Sequence, residues 1–279
     1  MGRGLRALHD VRFVDLSIPL SGAIAEPDPP QIDYVDHARA GIELAQIATR
    51  LSAAAAAPGQ KSPTITKEAF RDELGLANEN LHLDSHAGTH MDAPWHFGPL
   101  SENLPAKTID QIPLDWCFGP GVLLDLRHKL PGETITPEDL SDALEAISYQ
   151  LNPKDIVLLM TGADKHVRQS DYFSAHPGMG REATLWLLDQ GVKVIGIDGW
   201  GFDRPAGAML REYLRSGDSA ALLPAHMAGR DREYCHIEKM ANLDQIPFPT
   251  GFWVSCFPIK IERGSAGWIR AVALIPGDA

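Results

Sequence analysis

The middle of the chain alternates short apolar runs with segments of helical periodicity. Three of the apolar runs predict buried strands: residues 121–126, 155–160 and 193–198. Between the first two, Thr136 and Pro137 are typical of a helix start, and this helix is predicted to run to about residue 147. A second helix is predicted over residues 181–190, closed by Gly191. This succession of strand, helix and strand predicts parallel neighbouring strands joined by helical crossovers.

Further elements are predicted on both sides of this central part. Before it, we expect a strand over 11–20, a stiff loop over 26–30, a helix over 37–57 and a strand over 80–84. After it, residues 252–261 and 268–275 predict two strands around a hairpin turn at 264–267. The sequence has no internal repeat and no long linker. The pattern therefore predicts one mixed α/β domain over residues 1–279.

The composition is typical of a globular enzyme, with 44% hydrophobic and 22% charged residues. A chain of 279 residues is long enough to bury a sizeable core. The net charge is −12, and the acidic residues are spread along the chain. This charge argues against a nucleic-acid partner, and no polybasic segment is present to bind an anionic membrane.

The cysteines bear on the cellular compartment. Cys117, Cys235 and Cys256 are odd in number and widely spaced, which argues against a disulfide framework and favours the reducing cytoplasm. The first ten residues lack the apolar core of a signal peptide. No stretch approaches the roughly eighteen uninterrupted apolar residues of a membrane span. We therefore expect a cytoplasmic protein without a membrane partner.

Candidate chemistry is concentrated between residues 86 and 96. His86, His90, Asp92 and His96 share parity, so an extended backbone would direct all four side chains to one face. A continuous helix is disfavoured here because Gly88 and Pro94 interrupt it. Imidazole nitrogens with one carboxylate suit zinc, manganese or iron, and three protein ligands leave a position open for water. The window therefore predicts a catalytic metal centre.

Ordinary structural roles are the alternative for each residue taken alone. A single histidine is usually a core or surface residue with a satisfied hydrogen bond, and an aspartate near glycine is usually part of a turn. Burying several imidazoles and a carboxylate together without a metal is costly, which favours the metal centre. A structural zinc site is disfavoured because such sites have four ligands and are rich in cysteine, and no cysteine lies nearby.

A second part of the site is expected downstream. His226, in Leu-Pro-Ala-His, and Glu238, in Cys-His-Ile-Glu, are the strongest candidates. Their ordinary alternatives are a helix cap and a surface acid. His176 and His166 rank below them, as a turn residue and a solvated loop residue. Thr89 is expected to orient the ligands through hydrogen bonds, and Trp95 to line the pocket.

Residues 86–97, His-Ala-Gly-Thr-His-Met-Asp-Ala-Pro-Trp-His-Phe, resemble a known signature, His-x-Gly-Thr-His-x-Asp-x-Pro-x-His-Phe. It is that of the cyclase-like metal hydrolases, the group of kynurenine formamidase and isatin hydrolase. The similarity continues through residues 176–178, 192–198 and 224–226 and the final strands, so it covers nearly the whole chain. The resemblance implies a swivelling β/β/α fold, homo-oligomers, and a helical insertion at about residues 31–66 like that of the isatin hydrolase branch.

The resemblance also implies roles for individual residues. His86, His90 and Asp92 match metal ligands, and His96 matches the catalytic acid/base. His226 and Glu238 match further ligands of the two-metal formamidases, whereas isatin hydrolases are expected to hold one manganese. The expected cofactor is therefore one or two ions of Mn²⁺ or Zn²⁺. The segment at residues 25–29 lacks the tryptophan of formamidases, which favours the isatin hydrolase branch.

Together these features predict a metal-dependent hydrolase of amide C–N bonds that opens a small cyclic amide such as isatin. A divalent metal generates a nucleophile from water at neutral pH, and a histidine beside it transfers protons. The alternatives within enzymes are an arylformamidase acting on N-formylkynurenine, or a lactonase. The alternative outside enzymes is a metal-binding module without turnover.

Overall fold

The computed structural model describes residues 11–277 of the chain. Its strands are β1 (Val11–Asp15), β2 (Gln31–Val35), β3 (Asn78–His82), β4 (His90–Asp92), β5 (Leu100–Ser101), β6 (Leu104–Pro105), β7 (Phe118–Asp125), β8 (Thr134–Ile135), β9 (Ile156–Met160), β10 (Gly178–Met179), β11 (Val194–Ile197), β12 (Cys235–Glu238), β13 (Phe252–Ser255), β14 (Ala266–Trp268) and β15 (Val272–Pro276). Its helices are α1 (His37–Ala55), α2 (Pro94–Phe97), α3 (Pro137–Ala146), α4 (Arg181–Asp189), α5 (Ala206–Ser216) and α6 (Pro224–Ala228).

Two expectations concern membranes and secretion. None of the helices within residues 11–277 is long and apolar enough to cross a membrane. The expectation that the chain lacks the core of a signal peptide falls on residues 1–10, which lie outside the described part.

The chain divides into two compact units, and the smaller one is Pro30–Leu83. In this unit β2 and β3 pair antiparallel, and α1 follows β2. Asp36 caps α1, because its side chain accepts a hydrogen bond from the Arg39 backbone N–H at 2.8 Å. The prediction of a helix from residue 37 is confirmed, although the helix ends two residues earlier than expected.

The larger unit contains a nine-stranded mixed sheet in the order β1-β15-β13-β7-β9-β11-β12-β4-β14. Its centre is parallel, because β7, β9, β11 and β12 run in the same direction. The three central strands predicted from apolar runs and the two helices between them are confirmed. The fold is therefore the expected mixed α/β type, with β4 near one edge of the sheet.

Helices α3 and α4 cover one face of the sheet at its parallel centre. Val122, Val157 and Ile195 point to this face and pack with buried residues of both helices, including Leu140 and Leu187. The opposite face is buried under loops in a second apolar cluster. The alternating pattern along each strand places successive residues on these two faces, as expected for a sheet buried on both sides.

Over β1, β15 and β13, no helix within residues 11–277 covers the face on which α3 and α4 lie. In the register of these strands, Phe13 lies opposite Leu274, which lies opposite Trp253. Trp253 stacks on Phe118, with ring centroids 5.2 Å apart, and Phe118 stacks on Phe257. Trp253 is 45% exposed, and the other three aromatic residues are also exposed. We call the surface formed by four aromatic residues and one leucine the aromatic face: Phe13, Phe118, Trp253, Phe257 and Leu274.

The prediction of a hairpin turn at residues 264–267 was wrong. β13 and β15 do pair antiparallel, but the chain between them first crosses to the other edge of the sheet and forms β14 against β4. Gly267 permits this path, because a Cβ there would lie 2.6 Å from the carbonyl oxygen of Ile259. The predicted first strand was also too long, since regular pairing of β1 ends at Asp15.

Replacing Thr136 with alanine is expected to lower the free energy of unfolding by about 1 kcal/mol. Thr136 and Asp139 form a capping box at the start of α3, in which each side chain accepts a hydrogen bond from the other residue's backbone N–H. Urea denaturation followed by circular dichroism would measure the change. Ser141→Ala, at an exposed site in the same helix, is the control, and an equal loss in both variants would contradict the cap.

Candidate metal centre

The site is built on β4 and its neighbour β12. In their antiparallel register, His90 lies opposite Glu238 and Asp92 lies opposite His236. Residues two apart on a strand share a face, and directly paired residues share it as well. The pairing of two short strands therefore places two histidines and two carboxylates on one face, although the two segments are far apart in sequence.

The expectation of an extended backbone over residues 86–96 was only partly correct. Only His90–Asp92 is a strand, whereas His86 lies in a turn and His96 in the single-turn helix α2. Gly88 has a φ of 61°, a conformation that glycine adopts without strain, and it lies in the bend that precedes the strand. All three histidines of the window nevertheless direct a ring nitrogen toward Asp92.

Asp92 lies at the centre of the cluster and is fully buried. Its Oδ1 is 2.8 Å from His86 Nδ1 and 3.3 Å from His90 Nε2. Its Oδ2 is 2.9 Å from His236 Nε2, and the Nε2 atoms of His96 and His226 lie at 3.7 and 3.8 Å. One carboxylate is thus surrounded by five imidazole rings.

Glu238 is the second carboxylate of the cluster. Its Oε1 is 3.4 Å from His236 Nε2 and 3.8 Å from His226 Nε2, while its Oε2 is 3.6 Å from His90 Nε2. The backbone N–H of Phe202 donates to Oε1 at 2.8 Å and fixes the carboxylate. Glu238 therefore faces the same space as Asp92. It is buried and is not a surface acid, which was the alternative role.

Hydrogen bonds orient three of the rings through their Nδ1 atoms. His90 Nδ1 donates to the Gly88 carbonyl at 2.8 Å, and His226 Nδ1 donates to Asp203 Oδ2 at 2.5 Å. His236 Nδ1 lies 3.2 Å from the Tyr234 hydroxyl, which itself donates to a backbone carbonyl. These partners leave each Nε2 facing the carboxylates, which is the orientation that metal-binding histidines require.

The pKa values of the cluster residues reflect the close packing of carboxylates and imidazoles. Burial acts to raise the pKa of Asp92 and of Glu238, but the surrounding histidines hold both pKa values below their ordinary range. Burial acts to lower the pKa of His236, yet hydrogen bonds to the two carboxylates raise it to about 9. Burial lowers the pKa of His96 to about 4, and neighbouring histidines act in the same direction.

The cluster fits a divalent cation. His90 Nε2 and Asp92 Oδ1 are buried without a hydrogen-bond partner among the described residues, and unpaired buried polar atoms are costly. Donor atoms of Asp92, His226, His236 and Glu238 lie within 4.8 Å of one another, as do those of His86, Asp92 and His96. Nitrogen and carboxylate donors in such groups indicate a divalent metal site.

Two residues of the site, His236 and Asp203, were not predicted from the sequence. The signal for His236 was present, because it has the same parity as Glu238 on a predictable strand, as His90 has with Asp92. Asp203 orients His226 from a loop, and no periodicity or spacing marks it. His166 and His176 belong to neither group of donors, in line with their lower rank.

Thr89 and Trp95 lie beside the cluster. The Thr89 hydroxyl donates to the Lys239 carbonyl at 2.6 Å and accepts from the Ile18 backbone N–H, so it connects backbone segments next to the ligands. Trp95 is exposed on α2, directly before His96. Its predicted contact with a substrate stays a prediction.

A cavity of about 260 Å³ adjoins the cluster. Its walls include two cluster residues, His86 and Glu238. Seven other residues complete the lining: Glu26, Pro27, Asp28, Asp84, Ala87, Trp200 and Lys239.

Proteins of known sequence resemble this chain over most of its length. An isatin hydrolase of Roseibium aggregatum is 28% identical over 204 residues, which are 70% of this chain and 73% of that protein. A kynurenine formamidase of Salinibacter ruber is 28% identical over 218 residues, which are 77% and 89% of the two chains.

Solved structures share the fold. An isatin hydrolase bound to the product analogue thioisatinate has a TM-score of 0.69 at 22% identity, covering 96% of this chain and 93% of that one. Isatin hydrolase A from Ralstonia solanacearum has a TM-score of 0.68 at 23% identity, covering 95% and 92%.

The cyclase family, described as "Putative cyclase", has a family model that matches residues 14–204. The match covers more than half of the chain and includes the whole histidine window. This protein therefore belongs to the cyclase family.

Proposed function

We propose that this protein is a metal-dependent hydrolase of amide C–N bonds that opens a small cyclic amide such as isatin. The observation that carries the proposal is Asp92, a buried carboxylate shared by two groups of metal-binding donors beside a partly exposed His96. The similarity to an isatin hydrolase and a kynurenine formamidase supports the same chemistry.

The proposed ligands are His86, His90, Asp92, His226 and Glu238, and the geometry adds His236. The two groups of donors share Asp92, and one of them includes His96, the proposed acid/base, so we propose one or two ions. Mn²⁺ and Zn²⁺ both suit these donors. When bound, such an ion lowers the pKa of water and polarises a carbonyl group.

His96 is the proposed acid/base. Its side chain is 33% exposed, so it is the cluster histidine most open to a substrate, and its Nε2 lies 3.7 Å from Asp92 Oδ2. In this position the imidazole can accept a proton from the attacking water, and Asp92 stabilises the resulting charge. The same nitrogen can then deliver the proton to the leaving amide nitrogen, a role that contributes roughly 10²–10⁴-fold in rate.

The purified protein, loaded with Mn²⁺ or Zn²⁺, is expected to convert isatin to isatinate faster than it deformylates N-formylkynurenine. Absorbance assays on the two substrates side by side would measure both rates, and elemental analysis would identify the ions. Faster deformylation would overturn the choice of substrate. Bound metal without turnover of either substrate or of a lactone would favour a metal-binding module.

An arylformamidase acting on N-formylkynurenine is the second candidate. One observation favours it: Glu238 lies within the cluster, and the residue resemblance associates a glutamate here with two-metal formamidases. A lactonase would use the same centre, since the reactions differ mainly in the leaving group. The side-by-side assay separates these activities.

We also propose that the chain forms a single cyclase-like domain with a helical insertion at about residues 31–66. The chain enters the smaller unit once and leaves it once, which supports an insertion. A cytoplasmic location is proposed because all three cysteines are buried as free thiols.

A homo-oligomer is proposed as well, supported by the aromatic face. A row of exposed large apolar side chains, such as this one, is typical of a protein interface. Its central residues are uncharged, so two copies that each carry a charge of −12 can approach there with the least repulsion. A second copy is therefore the occupant that this surface fits.

Trp253→Asp is expected to shift the protein to a smaller species in light scattering coupled to gel filtration. The carboxylate would be desolvated at the centre of the interface, which disfavours association. Leu214→Asp, at an exposed site on α5, is the matched control and should leave the mass unchanged. A wild-type monomer at micromolar concentration would contradict the proposed oligomer.

A further inference from the structure

A buried ammonium group lies directly beside the proposed metal centre. Lys239 follows Glu238 in the chain and is only 4% exposed. Its backbone has a φ of 57°, in the left-handed region that residues with a side chain rarely adopt. Such a conformation persists only where the surrounding contacts hold it, and it often occurs near functional sites.

The Lys239 side chain contacts the turn that carries His86. Its Nζ donates to Glu26 Oε1 at 2.6 Å and to the His86 carbonyl at 2.9 Å. Glu26 Oε1 also accepts a hydrogen bond from the Gly88 backbone N–H at 3.4 Å. The buried pair of Glu26 and Lys239 therefore holds both ends of the short segment from His86 to Gly88.

The Lys239 backbone is fixed to the same region. Its carbonyl accepts a hydrogen bond from the Thr89 hydroxyl at 2.6 Å, and its N–H donates to the Gly199 carbonyl at 2.9 Å. Its Nζ lies 5.0 Å from the centroid of the Trp200 ring. Lys239 thus connects the strand that carries Glu238 with the turn that carries His86 and with the wall of the cavity.

We propose that Glu26 and Lys239 form a positioning pair that holds His86 in place for metal binding. The inference rests on the proposed metal site, because His86 is one of its ligands. Lys239 does not reach the ligand atoms themselves, and its effect is transmitted through the His86 carbonyl. Removing partners that orient metal ligands typically weakens metal affinity 10- to 100-fold.

If Lys239 acted only through its charge, Lys239→Met would change the metal affinity in the opposite direction. A cation beside the site repels a divalent ion, so losing the Lys239 charge would tighten metal binding, and losing the Glu26 charge would weaken it. A positioning role predicts that Lys239→Met weakens binding because the turn loses its donor. It also predicts a smaller loss of affinity for Glu26→Gln than for Glu26→Leu, because the amide oxygen of glutamine can still accept both hydrogen bonds.

The experiment is a titration of the full chain, stripped with a chelator, with Mn²⁺ or Zn²⁺ in competition with a chromophoric chelator. The variants are Lys239→Met, Glu26→Gln and Glu26→Leu, with Lys129→Met as the control. Lys129, in the loop after β7, forms a comparable, partly buried pair at 2.9 Å with Asp139 of α3. We expect Lys239→Met and Glu26→Leu to raise the metal Kd 10- to 100-fold. The control should leave it unchanged.

A tighter Kd in Lys239→Met, or a change of less than about twofold in a folded variant, would overturn the proposal. If Lys239→Met does not fold, the difference between Glu26→Leu and Glu26→Gln decides, and equal Kd values in these two would overturn it. The metal Kd of wild type against His90→Ala is measured in parallel. If these two match, the metal site itself fails, which is distinct from failure of the positioning pair alone.

Discussion

Asp92→Ala is expected to yield a folded protein that binds no metal and has no turnover above background. Asp92 is the one group common to both sets of donors, and five histidine rings face its two oxygens. Its loss removes a donor from both groups and leaves Glu238 as the remaining carboxylate of the cluster to neutralise a cation, so the whole proposed site is affected. Elemental analysis after dialysis and an isatin assay would measure the result.

Asp203→Asn is the comparison variant for Asp92→Ala, and we expect it to lose less metal affinity. Asp203 contacts His226 but none of the cluster carboxylates, so its replacement should weaken metal affinity only about 10- to 100-fold. Circular dichroism would verify that both variants are folded. Full metal occupancy in Asp92→Ala would refute the assignment of Asp92 as a ligand.

His96→Asn is expected to retain its metal while turnover falls by roughly a hundredfold or more. The amide cannot transfer a proton as imidazole does, whereas the remaining histidines and both carboxylates still supply a complete set of donors. Measuring kcat together with metal content distinguishes the proton-transfer role from a ligand role. Unchanged turnover would exclude His96 as acid/base, and a parallel loss of metal would make it a ligand.

The sequence predicted those parts of the molecule in which local pattern and tertiary structure agree. The central strands are buried on both faces, so their apolar runs are long enough to identify them. Thr136 and Pro137 marked the start of α3 because the capping box is a local interaction. His90 and Asp92 share a face because the short strand between them alternates as expected.

Features that depend on strand pairing were not predictable in this way. The meeting of Asp92 with His236 follows from the register of β4 and β12, which no local pattern specifies. The course of residues 256–265 follows from the pairing of β14 with β4 at the far edge of the sheet, which is likewise a long-range contact. The contacts of Asp203 and Lys239 are long-range as well, so neither residue stood out in the sequence.

The three-residue strand β4, held between β12 and β14, has a consequence for how this protein can change over time. Because side chains alternate along a strand, a slip of one position would turn His90 and Asp92 to the opposite face together. A single-residue insertion or deletion within β4 or β12 would therefore remove several donors at once, whereas a substitution removes one. Length variation among natural variants of this chain should accordingly be confined to loops outside these strands.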